Sequence, residues 1–384
     1  MGSLPHQKII CITNDFGPRA GGIETFVIGL LERTPRNTVI VYTSYQRDSQ
    51  EYDRRWLEDY GIEVIRDKSK ILLPTPRVAR AVQSLVRERG LTVALFGAAA
   101  PLGLLSHGIR AAGIERIVAL THGHEVWWAK IWPFSWALKR IGNGVDTVTY
   151  LGEFTRRAIA RSLSHESAQS MVRIAPGIDT SHFAPQSNLE SLRSELDLDG
   201  KRVIISVGRL VHRKGQDTLV EALPEIVAAY PDVHLLFIGV GPRLEYIHKR
   251  AIQLGVLENI SFLGRARYQE LPKLISLGEI FAMPSRSRFG GLEIEGLGIV
   301  YLEASACGLP VVGGIAGGAP DALIEGETGY AVDGRSASEV ARAIKILLSD
   351  SARAKAMGER GRKWIAQEWE WKHWSAELNK LLGI

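Results

Sequence analysis

Cysteine is nearly absent from this chain of 384 residues. Cys11 and Cys307 are too few for a disulfide framework and suit buried thiols in a reducing compartment. The ten histidines form no His-Glu-x-x-His pattern and no Cys-x-x-Cys occurs, which excludes a metal centre built on those spacings. No apolar run reaches the roughly eighteen residues needed to span a bilayer, and the N-terminus lacks a signal-peptide core, so the expected location is the cytoplasm. A Gly-x-Gly-x-x-Gly dinucleotide fingerprint is missing as well.

What is present is the composition of an ordinary globular protein, 45% hydrophobic and 23% charged, in a chain longer than one core usually supports. Two domains are therefore expected. The net charge of +5 is uneven: residues 1–183 hold 23 Lys+Arg against 17 Asp+Glu, and the remainder holds 24 against 25. A basic first half suits an anionic surface, such as a membrane leaflet or nucleic acid, or is simply a solvated basic face.

In chain order, Met1-Gly2-Ser3-Leu4-Pro5 reads as an added remnant. A β-branched run, Ile9-Ile10-Cys11-Ile12-Thr13, is followed by the loop Asn14 to Glu24, which contains Asp15 and Gly21-Gly22, and by apolar residues at helical spacing over 25–31. Strand, glycine loop and helix place backbone N–H groups beside an anion at the carboxyl end of a parallel strand. Further strands are predicted at 38–42, 62–65, 93–96, 117–121 and 147–150, with helices at 77–89 and 101–112, the alternation of a doubly wound sheet. Thr121-His122-Gly123-His124-Glu125 lies just past a strand end, where ligand sites form. The next residues carry Trp127, Trp128, Trp132, Phe134 and Trp136, with Lys130, Lys139 and Arg140 among them. Rings and cations so mixed suit a lipid headgroup layer, and core packing is the alternative for some of the rings.

The pattern breaks at 175–183, where the interdomain linker is expected. A second series follows: strand 203–207, the loop Gly208 to Gly215, helix 217–230, strand 234–238, helix 243–254, and strands at 260–263, 280–283 and 310–312. Arg209 and Lys214 share the loop after its first strand, where two cations would stabilise a diphosphate. The chain then reaches 289–310, where Glu295 and Glu303 flank Gly296-Leu297-Gly298 and the helical run 299–306. Eight residues are about two turns plus 80°, so the two carboxylates do not share a helix face; Glu295 belongs in the loop and Glu303 on the second turn. The glycines and the free N–H groups of the helix start suit a phosphate-bearing ligand, though spacing alone also allows an acidic surface helix. Residues 364–382, with Trp364, Trp369, Trp371 and Trp374, predict an apolar terminal helix that packs across both domains.

Taken together, Glu295-x7-Glu303, Gly208-Arg209 through Lys214-Gly215, Gly21-Gly22 and Ala175-Pro176-Gly177-Ile178-Asp179 resemble the retaining GT-B glycosyltransferases of family 4, in the right order over essentially the whole chain. Thr13 to Arg19, Leu73-Pro74-Thr75-Pro76, Phe96 to Leu102 and Thr121 to Val126 look like the branch that mannosylates phosphatidylinositol mannosides. The resemblance implies an α/β fold of two Rossmann-like domains facing a central cleft, an acceptor domain at 1–183 with helix 365–384 packing back on it, and a nucleotide-sugar domain at 184–364. It implies GDP-mannose as donor, a membrane lipid as acceptor at the inner membrane face, no nucleic acid partner, and no cofactor or metal. By similarity Glu303 would hold the ribose, Glu295 the sugar hydroxyls, Arg209 and Lys214 the diphosphate, with Gly21, Gly22 and the N–H groups of Gly296, Leu297, Gly298, Ile299 and Val300 as further donors. Backbone of Arg265 and Ala266 would meet the base. His122 would stabilise the transition state. Asp15, Trp127, Trp128 and Lys130 would serve the acceptor or membrane. A UDP-sugar transferase, or a GT-B nucleotide-sugar epimerase, is the alternative activity.

Overall fold

The computed structural model describes residues 9–19 and 21–384. The opening Met1 to Pro5, read above as a remnant, and Ala20 of the glycine loop lie outside the described residues. The chain divides into two compact units, one built from the residues up to Gly177 with Trp371–Ile384, the other from Ile178–Glu370.

The first unit is a seven-stranded parallel sheet. Its strands are β1 (Ile9–Thr13), β2 (Val39–Thr43), β3 (Glu63–Arg66), β4 (Val93–Phe96), β5 (Arg116–Ala119), β6 (Thr147–Tyr150) and β7 (Val172–Arg173), in the spatial order β3-β2-β1-β4-β5-β6-β7. β1, β2 and β4 are buried along their whole length, as expected of strands covered on both faces by crossover helices. Ile9 pairs with Val39 on one side and Val93 on the other, so the strand order reverses at β1. The second unit repeats the scheme with β8 (Arg202–Val207), β9 (Val233–Ile238), β10 (Ile260–Phe262), β11 (Ile280–Met283), β12 (Val311–Gly314) and β13 (Gly329–Val332) in the order β10-β9-β8-β11-β12-β13, reversing between β8 and β11. In such sheets the crevice at the carboxyl ends of the strands flanking the reversal is where ligands bind. Both thiols are free and buried, Cys11 in β1 and Cys307 at a helix end, and burial pushes each up to about 12.

The structure departs from the sequence-based expectations in places with local causes. The helix expected at 101–112 is a 3-10 turn, Leu102–Leu105, running into a short helix, Ser106–Arg110; Gly103 lies so close to the Ile141 side chain that a Cβ would meet it at 2.6 Å. The helix Gln50–Tyr60 is hard to read from the sequence because its inward stripe is the aromatic set Tyr52, Trp56 and Tyr60, scattered among charged residues, and only Trp56 is buried. β13 opens on glycine and has only four residues. The boundary falls at Gly177 rather than 183, and the expected terminal helix is two helices, Ser351–Glu368 and Trp371–Leu382. The backbone between them is diverted: the Trp369 carbonyl accepts from Ile178 N–H at 2.7 Å and Glu370 bridges Ile178. The Trp371–Leu382 helix belongs to the first unit. Its Trp371 ring packs on the Gly22–Leu31 helix, where a Cβ on Gly29 would come within 2.4 Å of it, and the Arg33 guanidinium lies 5.2 Å over the ring.

Candidate active site

In the second unit the loops after β8 and β11, the two strands flanking the reversal, carry the cation and carboxylate singled out by the sequence. The loop after β8 tightens into a 3-10 turn, His212–Lys214, closed by Gly215 at φ 72°. That conformation favours glycine, and contact enforces it: a Cβ on Gly215 would sit 1.9 Å from the Pro284 carbonyl oxygen of the loop after β11. The turn aims Lys214 inward, its side chain 10% exposed, with Nζ 2.8 Å from Glu295 Oε2. Arg213 flanks the same carboxylate at 3.7 Å and Glu293 at 3.6 Å.

Glu295 lies in the loop and Glu303 on the helix Ile299–Ala306, as the spacing required. Gly298, at φ 81°, begins that helix with no side-chain cap, which leaves first-turn N–H groups of Ile299 and Val300 for a ligand. A Cβ on Gly298 would strike the Tyr301 ring at 2.4 Å. Leu297 is buried beneath the loop. Two glycines that sequence reasoning missed support it from below. Gly318 N–H donates to the Glu295 carbonyl at 2.8 Å, and a Cβ on Gly317 or Gly318 would meet the carbonyl of Glu295 at 2.4 Å or of Gly296 at 2.0 Å. The Gly-Gly pair after β12 was the available signal. Glu303 is buried, and desolvation raises its carboxyl to about 7 despite the opposing pull of the Lys214 ammonium.

Arg209 does not join this cluster. It lines a pocket of about 540 Å³ with Gly208, Gly239, Val240, Gly241, Arg265 and Ala266. Gly208 connects the two regions, because it lines the pocket and its backbone faces the Lys214 side chain, where a Cβ would lie 3.8 Å from Cε. A slot walled by backbone and two arginines, sharing Gly208 with the neighbourhood of a buried lysine, suits a planar group joined to a polyanion.

In the first unit the corresponding loops bring together His122, Asp15 and the Gly21-Gly22 helix start. His122 follows the end of β5. Its Nε2–H donates to the Gly97 carbonyl at the end of β4, its backbone N–H donates to Glu125 Oε2 at 3.0 Å, and the Phe26 ring stands edge-on at 5.3 Å. Burial lowers the His122 pKa, so the neutral ring with Nδ1 unprotonated is the resting form. Asp15 is raised from the usual carboxylate range by burial, then by nearby Glu24. Gly21 is the extended N-cap of Gly22–Leu31, and the space beside Gly22 is open. Sequence reasoning missed Arg19, whose Nη2 lies 2.7 Å from Glu24, and the buried Glu125 that orients His122.

The Trp-rich run separates into two layers. Trp127 and Trp128, expected at the acceptor or membrane, are half-buried: both pack against Phe134, and Trp128 lies on the core. The outward rings are Trp132, 80% exposed on the turn, and Trp136, 59% exposed on the helix Phe134–Gly144, whose period turns Leu138 and Ile141 inward. Lys130 and Lys139 are exposed beside them, and the Arg140 guanidinium lies over the Trp136 ring at 5.9 Å. Among the described residues no group of three or more His, Cys, Asp or Glu is placed to hold a metal ion.

Comparison with known proteins agrees with this geometry. Residues 20–182 match the family described as Glycosyltransferase Family 4 and residues 189–364 the one described as Glycosyl transferases group 1. A GDP-mannose-dependent alpha-(1-6)-phosphatidylinositol monomannoside mannosyltransferase of Mycolicibacterium smegmatis is 42% identical over 98% of both chains. The Corynebacterium glutamicum relative, named for a monoacylated form of the same lipid, is 38% identical over 98% of both. Among solved structures, Anabaena HepE in complex with UDP shares the fold at a TM-score of 0.81 and 18% identity, over 98% of this chain and 100% of that one. Two parallel-sheet Rossmann-like units with this loop chemistry are those of a GT-B glycosyltransferase, and the chain belongs to the group 1/family 4 glycosyltransferases, in the family that includes the phosphatidylinositol monomannoside mannosyltransferases.

Proposed function

We propose that the protein transfers mannose from GDP-mannose to a hydroxyl of a phosphatidylinositol mannoside, with retention of anomeric configuration. Identity of 42% along 98% of a relative named for that reaction carries the reading, and the second-unit site supplies chemistry suited to it. The base would enter the slot at Arg265 and Ala266, the ribose hydroxyls would bond Glu303, and the diphosphate would meet Lys214 and Arg209. Glu295, already held by Lys214, would accept from the sugar hydroxyls. Departure of the diphosphate on the face the acceptor attacks needs cations at the leaving oxygens, and these two side chains supply that charge without a metal. The departing phosphate oxygen takes the acceptor proton, so no dedicated base is required. In the first unit, His122 would offer Nδ1 to a substrate hydroxyl.

A thermal-shift panel tests the donor. Ligand binding to the folded state at about a hundredfold over Kd adds about 2.7 kcal/mol. GDP-mannose is expected to raise the midpoint more than UDP- or ADP-sugars; a rise with UDP-sugars and none with GDP-mannose overturns the donor assignment.

The acceptor reading includes peripheral docking on the inner membrane face. No helix among the described residues is long and apolar enough to cross a membrane. The first unit carries 25 Lys+Arg against 17 Asp+Glu. Trp132 and Trp136, with Lys139 and Arg140, form an outward patch suited to anionic headgroups. Replacing Lys139 and Arg140 with alanine should weaken binding to phosphatidylserine vesicles by about 1 kcal/mol each, and Trp132→Ala with Trp136→Ala should weaken it further. Thermal stability should stay near the parent value, because the side chains are exposed. Unchanged vesicle binding with lost stability would instead make these rings structural.

A further inference from the structure

The loop that carries Lys214 is held by one arginine that no part of the reaction described above uses. Arg286, in the segment after β11, has a side chain only 10% exposed. Its guanidinium reaches both sides of the lysine. Nη2 donates to Asp217 Oδ1 and Oδ2 at 2.8 and 2.6 Å, Nη1 donates to Thr218 Oγ1 and to the Gly334 carbonyl, and Nε donates to His212 Nδ1 at 3.2 Å. Its own backbone N–H donates to the Arg213 carbonyl at 2.8 Å. His212, Arg213, Asp217 and Thr218 bracket Lys214 on either side, so the residue between them is fixed although Arg286 does not touch it. Burial, then the Arg286 charge, lower the His212 pKa, which keeps its Nδ1 an acceptor.

The backbone next to Arg286 is gripped as tightly. A Cβ on Gly215, Gly314 or Gly334 would lie 1.9, 1.8 or 2.2 Å from the carbonyl oxygens of Pro284 or Ser285. Pro284 to Arg286 is therefore a rigid seat, and the same segment continues into the loop bearing Glu293 and Glu295. Asp217 completes it: it is buried, it also accepts from Arg243 at 2.8 Å, and the two arginines hold its pKa below the usual carboxylate value against desolvation.

We infer that Arg286 and Asp217 form a positioning pair that presets Lys214 relative to Glu295, so that a donor diphosphate meets a cation already in place. This rests on the proposed reaction, in which Lys214 is the leaving-group cation. Preset charge acts without reorganisation at the moment of reaction, so a lysine freed to sample other rotamers lowers kcat more than it raises KM.

The test is a double-mutant cycle with a binding control. Arg286→Lys and Asp217→Asn, each checked for cooperative unfolding, should lower kcat about tenfold in the parent but less than about twofold in a Lys214→Ala background, because the lysine they act through is gone. Calorimetry with GDP and GMP reads the same coupling without turnover: the parent should prefer GDP, and both variants should narrow that preference. Equal kcat losses in both backgrounds, with the parent's GDP preference retained, would reduce the pair to general stability and overturn the inference. A parent that binds GDP no better than GMP would overturn the diphosphate role of Lys214 itself and the positioning pair with it.

Discussion

Lys214→Ala should lower kcat by about 100- to 1,000-fold, or about 3 to 4 kcal/mol, the cost of deleting one well-placed donor from a developing negative charge. The ammonium is almost wholly enclosed and lies 2.8 Å from Glu295, so its field acts in a low-dielectric setting with little water to replace it. Its removal has two further effects. Among the described residues, Glu295 keeps the more distant Arg213 as its cationic neighbour. Glu303 loses the one charge that lowers its pKa and should titrate still higher. Steady-state kinetics over pH checks all three: kcat falls far more than KM rises, and the pH dependence of donor binding moves upward. Turnover close to the parent value would remove Lys214 from the reaction.

The second large effect concerns Glu303, whose carboxyl titrates near 7 in the folded protein against 4.5 in the absence of burial. Between these values the folded state holds a proton that the unfolded chain has released, so stability falls as pH rises through this window. The full cost, about 3 kcal/mol, is present above pH 7 and vanishes below about 4.5. Glu303→Gln keeps the shape and removes the charge. Its thermal midpoint should match the parent at pH 4.5 and exceed it at pH 8, while donor affinity at pH 8 drops. In the proposed reaction the ionised form is the one that accepts the ribose hydroxyls, so donor binding should strengthen from pH 6 to 8 and release protons near pH 7, measurable by calorimetry in buffers of different ionisation enthalpy. Binding independent of pH across that range would exclude the ribose role.

The fold was legible because it is written locally. Short β-branched runs separated by helical spacing announce a parallel doubly wound sheet, and Gly208, Gly215 and Gly298 mark the turns where each strand hands over to a helix. The positions of Glu295 and Glu303, one in the loop and one on the helix, could be separated for the same reason, since helical geometry forbids their sharing a face. What stayed hidden depends on which strands become neighbours. Lys214 meets Glu295 only because β8 and β11 adjoin. Asp217 and Arg286 stand 69 residues apart and carry no joint pattern in the sequence. Gly317 and Gly318 look like a spare turn until the Glu295 and Gly296 carbonyls are seen against them. Which tryptophans lie inward and which outward was not legible, because Trp127 and Trp128 precede the helix whose period decides which later rings face outward. Arg209 shows the opposite limit: sharing a loop with Lys214 did not place it in the same cluster.

The diversion of the backbone at Trp369 and Glu370 also governs the order in which the protein can be made. The first unit is assembled from two stretches of chain with the whole of the second unit between them. During synthesis the strands of the first unit therefore emerge early, yet the face around Phe26 and Gly29 stays uncovered until Trp371 and the helix that follows leave the ribosome. The second unit, contiguous in sequence, is complete before that moment. Nascent chains thus carry an unfinished first unit beside a finished second one, and the closing helix that ends this state is also what joins the two ends of the first unit into a single fold.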